Sequence, residues 1–539
     1  MICIFFSANQ RTEGVHYEEL RRIPTASARS SSAFICQEEE ADGEAMAQTS
    51  EYTPLVAFGV QSRAAAQQKR QKRALFLAAS GLALLLTFMV VTRESSTSMR
   101  ATDALDGAVE GHRVKKHKDE EFFCGFTEHE TGYIKLPNKE DDHYFYWFVE
   151  SRSEPTKDPL VLWLTGGPGC SSMMALLAEN GPCHVQTDLS TKINEYSWNR
   201  QANVIWLDQP TGVGYSYGGD GDYDSSEDNV GENIYWFLQE FLKKHPDLAD
   251  REFYVTGESY GGHYVPAAAS YIINKNANRR RHHKTVHINL AGIAIGNGIT
   301  DPIVQYDYSV DMAFNGYNVT LLNDAQIADM RVAQPICHEL VVACQTDPAK
   351  CVEALDYCGE HLESPYFQAG RNPYDIRQEC HEEDVMNCFQ FSHIIEYLNS
   401  PKVLKQLGVD TKHSKAWREC DGDVGSRFVL DQMLSFAPNV KVLLDAGVRV
   451  LIYAGDADLM CNWVGNEAWV KALEWSGKKQ FNDAPIRVFV TQDEPNAGLM
   501  RAFENLVFIR IYNAGHMVPM DQPSITFEMI NNFFQGKAL

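Results

Sequence analysis

The sequence predicts an α/β protein: a doubly wound, mostly parallel sheet that carries a mostly helical, cysteine-rich insertion as a cap. Three observations support this prediction. Short apolar segments alternate with helix-compatible segments after residue 119, glycine-containing turns follow several of them, and a polar, cysteine-rich stretch over residues 316–426 interrupts the alternation. Parallel strands need crossover connections, and helices between the strands supply them.

Seven segments have the apolar, β-branched and aromatic composition that is typical of buried strands. They are Tyr144–Val149, Leu160–Leu164, Val204–Leu207, Phe253–Val255, Ile293–Ile295, Val448–Tyr453 and Val507–Tyr512. Together they predict a core in two parts, residues 119–315 and 427–539, with the cap of residues 316–426 inserted between them over the functional edge of the sheet.

Composition excludes some classes of partner. The chain has 539 residues, of which 44% are hydrophobic, enough for a large core. The formal net charge of −24 argues against a nucleic-acid partner, which would call for a basic surface. An acidic chain is either simply soluble or adapted to an acidic lumen, and charge alone does not decide between the two.

The N-terminal region is predicted to anchor the protein in a membrane. Residues 1–73 lack a sustained apolar period and predict a disordered cytosolic tail. The uncharged run Ala74–Val91 is long enough to cross a bilayer, and the segment Lys69–Arg73 before it is basic. By the positive-inside rule, residues 74–92 form a signal anchor of type II topology with the C-terminal part in the lumen. A cleaved signal is the alternative, but the run begins far from Met1 and lacks a clear small-residue cleavage site.

Further features of this region concern routing. Tyr17–Leu20 and Tyr52–Leu55 have the form of tyrosine-based sorting signals, and Met46 is an alternative start that keeps the second of them. Residues 93–118 are predicted to be a polar stalk or propeptide linker, which either only connects or is the site where proteolysis releases the C-terminal part. We expect a lysosomal, vacuolar or other secretory-pathway location.

A nucleophile elbow follows the predicted strand Phe253–Val255. The segment Gly257–Gly261 has the pattern G-x-S-x-G, in which a sharp strand-to-helix turn exposes the serine hydroxyl and small neighbours avoid a clash. The pentapeptide alone occurs in many unrelated chains. Its position after a strand predicts an α/β-hydrolase fold with Ser259 as the nucleophile.

The order of the later motifs matches this fold, in which an acid and then a histidine follow the nucleophile. His516 comes just after the predicted strand Val507–Tyr512 and fits the general base. Asp456 and Asp458 come after the strand Val448–Tyr453, and either could orient the imidazole. The loop after Leu160–Leu164 contains two adjacent glycines whose amides could bind an oxyanion, and no Gly-Lys-Ser/Thr follows to indicate a phosphate loop.

Six segments together resemble the serine carboxypeptidase family, from about residue 122 to the C-terminus. They read WLTGGPGCSS, WLDQPTGVGYSY, GESYGGHYVP, GNGITDP, YAGDADLMCNW and AGHMVPMDQP, in this order. The resemblance implies that Ser259 is the nucleophile, that Asp458 rather than Asp456 is the acid, and that His516 is the base. It assigns the oxyanion N–H groups to Gly167 and Tyr260.

The resemblance also implies peptide substrates that lose one residue at a time from the C-terminus. Glu179 and Glu258 would share a proton, so that the neutral one donates a hydrogen bond to the substrate carboxylate and activity is highest at acid pH. Thr165 and Gly166 would help to bind this carboxylate. Many members have Asn where this chain has Thr165, so the preferred terminal residue stays open.

Substrate pockets follow from the same resemblance. Met460 and Cys461 would contact the residue before the cleaved bond, and Met517, Tyr374 and Phe389 the terminal residue. These side chains are soft or aromatic, so we expect a preference for hydrophobic residues.

Eleven of the thirteen cysteines follow residue 120, at intervals that fit disulfides in an oxidising compartment better than zinc. The resemblance implies the pairs Cys170–Cys420 and Cys380–Cys388 and leaves Cys461 as the unpaired thiol. Connectivity cannot be derived from sequence alone, and the remaining pairs are hypotheses. These are Cys337–Cys358, Cys344–Cys351 and Cys124–Cys183. Asn318 begins a glycosylation sequon.

The resemblance implies a reaction that needs neither a metal nor an organic cofactor, and it is compatible with a homodimer. One alternative keeps the triad but makes the protein an acyltransferase or esterase that acts on small molecules. Glu258 favours the peptidase, because transferase-like members tend to lose the acid pair. A non-catalytic scaffolding role is the third hypothesis, and the complete set of catalytic residues argues against it as the sole role.

Overall fold

The computed structural model describes residues 112–114, 128–278, 285–380 and 388–539. The predicted tail, sorting signals, alternative start and anchor lie outside these residues, as do most of the stalk and Cys124. Within the described part of the chain, no helix is long and apolar enough to cross a membrane.

The predicted α/β class is confirmed. The strands are β1 His112–Val114, β2 His129–Lys135, β3 His143–Val149, β4 Leu160–Leu164, β5 Cys183–Val185, β6 Thr191–Ile193, β7 Asn203–Leu207, β8 Phe253–Glu258, β9 Leu290–Gly296, β10 Arg371–Asn372, β11 Asp375–Glu379, β12 Arg449–Gly455, β13 Arg487–Phe489, β14 Gly498–Phe503 and β15 Leu506–Ile511. All seven predicted segments are strands, with boundaries that differ by a few residues at most.

One large sheet organises the described chain, in the order β1-β2-β3-β7-β4-β8-β9-β12-β15-β14-β13. The six strands from β7 to β15 in this order pair in parallel, and the flanking strands pair antiparallel. The order reverses at β4, because the chain goes from β4 to β7 on one side and then to β8 on the other. Such a switch point opens a crevice at the carboxyl ends of the strands.

The helices lie on both faces of the sheet and in the cap. They are α1 Met173–Ala178, α2 Glu227–Lys244, α3 Gly261–Ala277, α4 Pro302–Gln305, α5 Asp324–Cys344, α6 Pro348–Cys358, α7 Ser364–Phe367, α8 Ser392–Asn399, α9 Pro401–Leu407, α10 Gly422–Gly425, α11 Ala437–Asp445, α12 Trp463–Ala472, α13 Lys478–Asp483, α14 Val518–Asp521 and α15 Pro523–Phe534.

Two hydrophobic cores lie on opposite faces of the sheet. Alternate residues of one strand point to opposite faces, and β4 accordingly sends Leu162 into one core and Trp163 into the other. The first core also contains apolar residues of α2, α3 and α11, and the second those of α1, α8, α9 and α15. Burial on both faces explains why the parallel strands are almost continuously apolar.

The cap is divided between two packing units. Its first half belongs to a third hydrophobic cluster, which extends from Ile299 to Ile376 and also includes Met433 and Cys461. Disulfides Cys337–Cys358 and Cys344–Cys351 join α5 to α6 inside this cluster. The second half, with α8, α9 and Trp417, instead packs into the second core of the sheet. The hydrophobic contacts therefore cross both limits of the segment 316–426.

Candidate active site

The residues predicted to form the triad lie at the carboxyl edge of the parallel strands. The glycine loop follows β4, Ser259 follows β8, Asn297 follows β9, Asp458 follows β12 and His516 follows β15. Carboxyl ends of parallel strands share one edge, so residues that are far apart in sequence become neighbours there.

Ser259 lies in a strained turn between β8 and α3. Its φ is +59°, a left-handed conformation that is unfavourable for a residue other than glycine. Its N–H donates to the carbonyl of Gly296 at 3.2 Å, and its carbonyl accepts from the N–H of Ile299 at 3.0 Å. A Cβ on Gly257 would lie 2.4 Å from the carbonyl oxygen of Leu164. The two backbone hydrogen bonds hold the turn, and the close packing explains the glycine two positions before the serine.

His516 is held by Asp458 in a buried pair. Nδ1 of His516 lies 2.8 Å from Oδ2 of Asp458, and both side chains are buried. Because an ionised carboxylate only accepts hydrogen bonds, Nδ1 carries the proton and Nε2 is left as the basic nitrogen. The Asp458 carboxylate also accepts from Nδ2 of Asn297 at 2.7 Å and from the N–H of Met460 at 3.0 Å. These contacts fix the orientation of the imidazole.

Asp456, the alternative acid, has different partners. Its Oδ2 lies 2.9 Å from Nη2 of Arg510, and its Oδ1 accepts from the hydroxyl of Tyr317 and from the N–H of Asn513. An aspartate paired with an arginine in this way is a structural ion pair. Of the two candidates, the geometry brings Asp458 to His516.

The glycine loop lies directly against the elbow. A Cβ on Gly166 would lie 2.3 Å from the backbone nitrogen of Tyr260, and Gly167 has a φ of +118°. Only glycine fits at both positions. The loop is thus packed against Tyr260 at Gly166, and Gly167, the next residue, lines the same cleft as Ser259.

A cleft of about 450 Å³, including its open mouth, joins these groups. Its lining includes Thr165, Gly166, Gly167, Glu179, Glu258, Ser259, Tyr374, Phe389, His516 and Met517. Met460 and Cys461 line a second cavity, together with Ile299, Tyr306, Tyr366 and others. The two cavities adjoin the same triad, because Sγ of Cys461, a ring nitrogen of His516 and a carboxylate oxygen of Asp458 lie within 4.8 Å of one another.

Glu179 and Glu258 form a buried carboxyl pair in the cleft. They are 2% and 4% exposed, and their side chains are in hydrogen-bonding contact. Burial raises the pKa of Glu179 to about 8, an effect that the contact with Glu258 partly offsets. Burial and the neighbouring Glu179 raise the pKa of Glu258 well above its ordinary value. At acid and neutral pH the pair therefore holds a proton that it can donate.

The hydroxyl of Thr165 is oriented by Trp163. Nε1 of Trp163 donates to Oγ1 of Thr165 at 2.9 Å, and the N–H of Thr165 donates to Oγ of Ser172 at 3.1 Å. Because the threonine oxygen accepts from the indole, its own hydrogen is available for an acceptor in the cleft. Trp163 acts on the site through Thr165.

The described cysteines lie as follows. Cys170–Cys420 joins the glycine loop to the end of the cap, and Cys380–Cys388 closes a short cap loop. Cys183 is also disulfide-bonded, and its predicted partner Cys124 lies outside the described residues. Cys461 is a free, buried thiol whose pKa burial raises to about 12. Asn318 of the sequon is exposed.

Ligand-type atoms come together in one place among the described residues, at Asp458, Cys461 and His516. Asp458 and His516 are already hydrogen-bonded to each other there, which suits proton transfer rather than a metal ion. Asn297, which fixes Asp458, was not predicted from the sequence. The sequence feature that could have indicated Asn297 is its position between two glycines immediately after a predicted strand.

The chain is similar to proteins of a known family. The family described as "Serine carboxypeptidase" matches residues 122–536. "Carboxypeptidase Y" of Candida albicans is 39% identical over 438 residues, which is 80% of this chain and 78% of the relative. "Serine carboxypeptidase 3" of Hordeum vulgare is 40% identical over 413 residues, 76% of this chain and 78% of the relative.

A solved structure agrees with these relatives. Kex1(Δ)p, a prohormone-processing carboxypeptidase from Saccharomyces cerevisiae, has a TM-score of 0.67 and 26% identity, and the match covers 77% of this chain and 92% of that chain. The chain described here belongs to the serine carboxypeptidase family.

Proposed function

We propose that this serine carboxypeptidase releases single, preferably hydrophobic residues from the C-termini of peptides at acid pH, through an acyl-enzyme on Ser259. The observation that carries the proposal is the presence of Ser259, His516 and the Glu179–Glu258 pair in one cleft. A nucleophile alone would serve any acyl transfer. A proton-bearing carboxyl pair beside it suits a substrate that ends in a carboxylate.

We assign the steps of the reaction to these side chains as follows. His516 accepts the Ser259 proton as the hydroxyl oxygen attacks the last peptide carbonyl, and Asp458 stabilises the resulting imidazolium. The N–H groups of Gly167 and Tyr260 bind the oxyanion. His516 then gives its proton to the leaving amino group as the C–N bond breaks. Water, deprotonated by His516, hydrolyses the Ser259 ester and restores the enzyme.

The carboxyl pair gives the specificity for a free C-terminus and the dependence on pH. Its neutral member donates to the substrate carboxylate, helped by the Thr165 hydroxyl and the Gly166 N–H. As pH rises, the pair loses its proton, and two negative groups then face the substrate carboxylate. Binding of free-acid substrates should therefore weaken as pH rises, while binding of amidated substrates should not.

The first test measures kcat/KM for blocked dipeptides that differ only in a free or amidated C-terminus, from about pH 4 to about pH 10, so that the range includes the loss of the proton from the pair. We expect kcat/KM to favour the free acid strongly at acid pH and the preference to fall as pH rises. In Glu258→Gln, whose amide cannot ionise, the preference should fall much less with pH. Glu474→Gln, an exposed glutamate, is the matched control and should follow the wild type.

Two results would count against the proposal. Indifference to the terminal carboxylate, with rapid turnover of small esters, would replace it with the acyltransferase or esterase alternative. A free-acid preference that Glu258→Gln leaves unchanged in its pH dependence would remove the pair from carboxylate recognition.

The walls of the cavities support the expected side-chain preference. Tyr374, Phe389 and Met517 give the cleft an aromatic and apolar wall close to His516, whose ring centre lies 4.9 Å from that of Tyr374. A terminal residue with an apolar side chain would cover this wall and exclude water from it. Homodimer formation stays a prediction.

We also propose that residues 74–92 anchor the enzyme in a membrane of the lysosomal, vacuolar or secretory system, with the catalytic part in the lumen. The apolar run after a basic segment supports the anchor, and the disulfides support an oxidising compartment. The protein should stay with membranes during alkaline carbonate extraction. It should also lose mass on deglycosylation, and the substitution Asn318→Gln should abolish this loss of mass. Full release by carbonate, or no change in mass, would contradict the anchor or the lumenal topology respectively.

A further inference from the structure

Glu227 is a buried acid that the reaction above does not use. It is the first residue of α2 and is 2% exposed. In the described part of the chain, neither of its carboxyl oxygens has a hydrogen-bond partner. A buried carboxylate without partners is very costly, so the environment of Glu227 favours the neutral acid.

The surroundings of Glu227 connect it to the elbow. The N–H of Glu227 donates to Oδ2 of Asp431 at 3.1 Å, and Oδ1 of the same aspartate accepts from the Tyr260 hydroxyl at 2.8 Å. Asp431 is itself buried. One carboxylate thus joins the start of α2 to Tyr260, the proposed oxyanion donor.

A second tyrosine continues the connection to the glycine loop. Tyr264 lies one turn after Tyr260 on α3, with ring centres 5.1 Å apart, and its hydroxyl accepts from the N–H of Gly169 at 3.3 Å. Both tyrosines lie within electrostatic reach of Glu227 and Asp431. Tyr260 is therefore tied to Asp431 by a hydrogen bond, and Tyr264, which packs on Tyr260, supports the glycine loop through Gly169.

The charged groups around Glu227 are acidic. Asp431 faces it from the segment after the cap, Asp224 from the turn before α2, and Asp228 from its own helix. Asp224 is in turn paired with Lys139 at 2.7 Å. The pKa of Glu227 is raised well above its ordinary value, mainly by burial and to a smaller extent by the charges of these three aspartates. Burial also raises the pKa of Asp431 to about 6.

We propose that Glu227 is a positioning residue whose neutral carboxyl keeps Asp431 on Tyr260, and thereby keeps the Tyr260 N–H aligned with the reacting carbonyl. This rests on the proposed function, in which Tyr260 is an oxyanion donor. When Glu227 loses its proton, its charge repels Asp431, and the support behind the oxyanion site is lost. The effect concerns every acyl substrate, whereas the Glu179–Glu258 pair acts only on substrates that end in a carboxylate.

The test uses a blocked ester without a free carboxylate and follows kcat of the full-length protein from about pH 4 to about pH 9. The wild type should lose activity at high pH. Glu227→Gln is always neutral and nearly the same size, so its loss of activity should begin about one pH unit higher or more. Glu474→Gln makes the same exchange at an exposed glutamate outside this acidic group and should follow the wild type.

An unshifted profile in folded Glu227→Gln would overturn the proposal. The proposed function fails differently, through an absence of ester turnover at every pH in the wild type. If Glu227→Gln does not fold, amide hydrogen exchange of residues 259–264 in the wild type decides. Faster exchange on the high-pH side, beyond the intrinsic pH effect, supports the proposal, and constant protection overturns it.

Discussion

At the scale of single residues, the choice between Asp456 and Asp458 shows what sequence position can and cannot decide. Both aspartates follow the same strand, so their spacing cannot separate them. The structure separates them by partners that are distant in sequence: Arg510 neutralises Asp456, while Asn297 orients Asp458 toward His516. The two acids should consequently respond to mutation in different ways.

Asp458→Asn should lower kcat by about 10³- to 10⁴-fold with little change in KM, because an amide no longer fixes the reactive tautomer of His516. Asp456→Asn should leave kcat within about threefold but lower the free energy of unfolding by about 1–3 kcal/mol, since Arg510 loses its ionic partner. Steady-state kinetics and urea unfolding of both variants measure these effects. Equal losses of kcat would mean that the two carboxylates act together in catalysis.

The other site residues differ in how far sequence could reveal them. Ser259 and His516 stand in recognisable places, since each follows an apolar strand. Glu179 follows the short helix α1 without any local pattern, and only the family resemblance connected it with Glu258. Its significance depends on burial against another carboxyl, which is a tertiary property.

At the scale of elements, sequence predicted the strands of the parallel block because they are buried on both faces. Strands with little apolar burial were not predicted. β6 and β13 have three residues each, and most of their side chains are partly or fully exposed. A short, largely exposed segment becomes a strand only when a neighbour supplies its hydrogen bonds, and the sequence gives no sign of that neighbour.

The element that joins β8 to α3 explains the requirement for small residues around Ser259. A Cβ on Gly262 would lie 2.2 Å from the carbonyl oxygen of Ile299, as close as the contacts already noted for Gly166 and Gly257. Three segments of backbone meet here without intervening side chains. The elbow can therefore hold its strained serine because the glycine loop and the segment after β9 pack directly against it.

At the scale of the whole molecule, the switch point of the sheet and the cap together form the proposed substrate site. The sheet places the proposed triad at its carboxyl edge, and the cap contributes Tyr374 and Phe389 to one cavity and Leu362 and Tyr366 to the other. The sequence predicted an insertion over this edge. It could not predict that the insertion divides between two cores, since that depends on which helices reach the sheet.

The central claim is that Ser259 forms the covalent intermediate, and the most direct test is the site of reaction with a fluorophosphonate, located by peptide mass spectrometry. We predict one adduct, on the peptide that contains Ser259, with labelling abolished in Ser259→Ala and slowed at least about 100-fold in His516→Ala. Label on the same protein that persists in Ser259→Ala would show that another residue is the nucleophile.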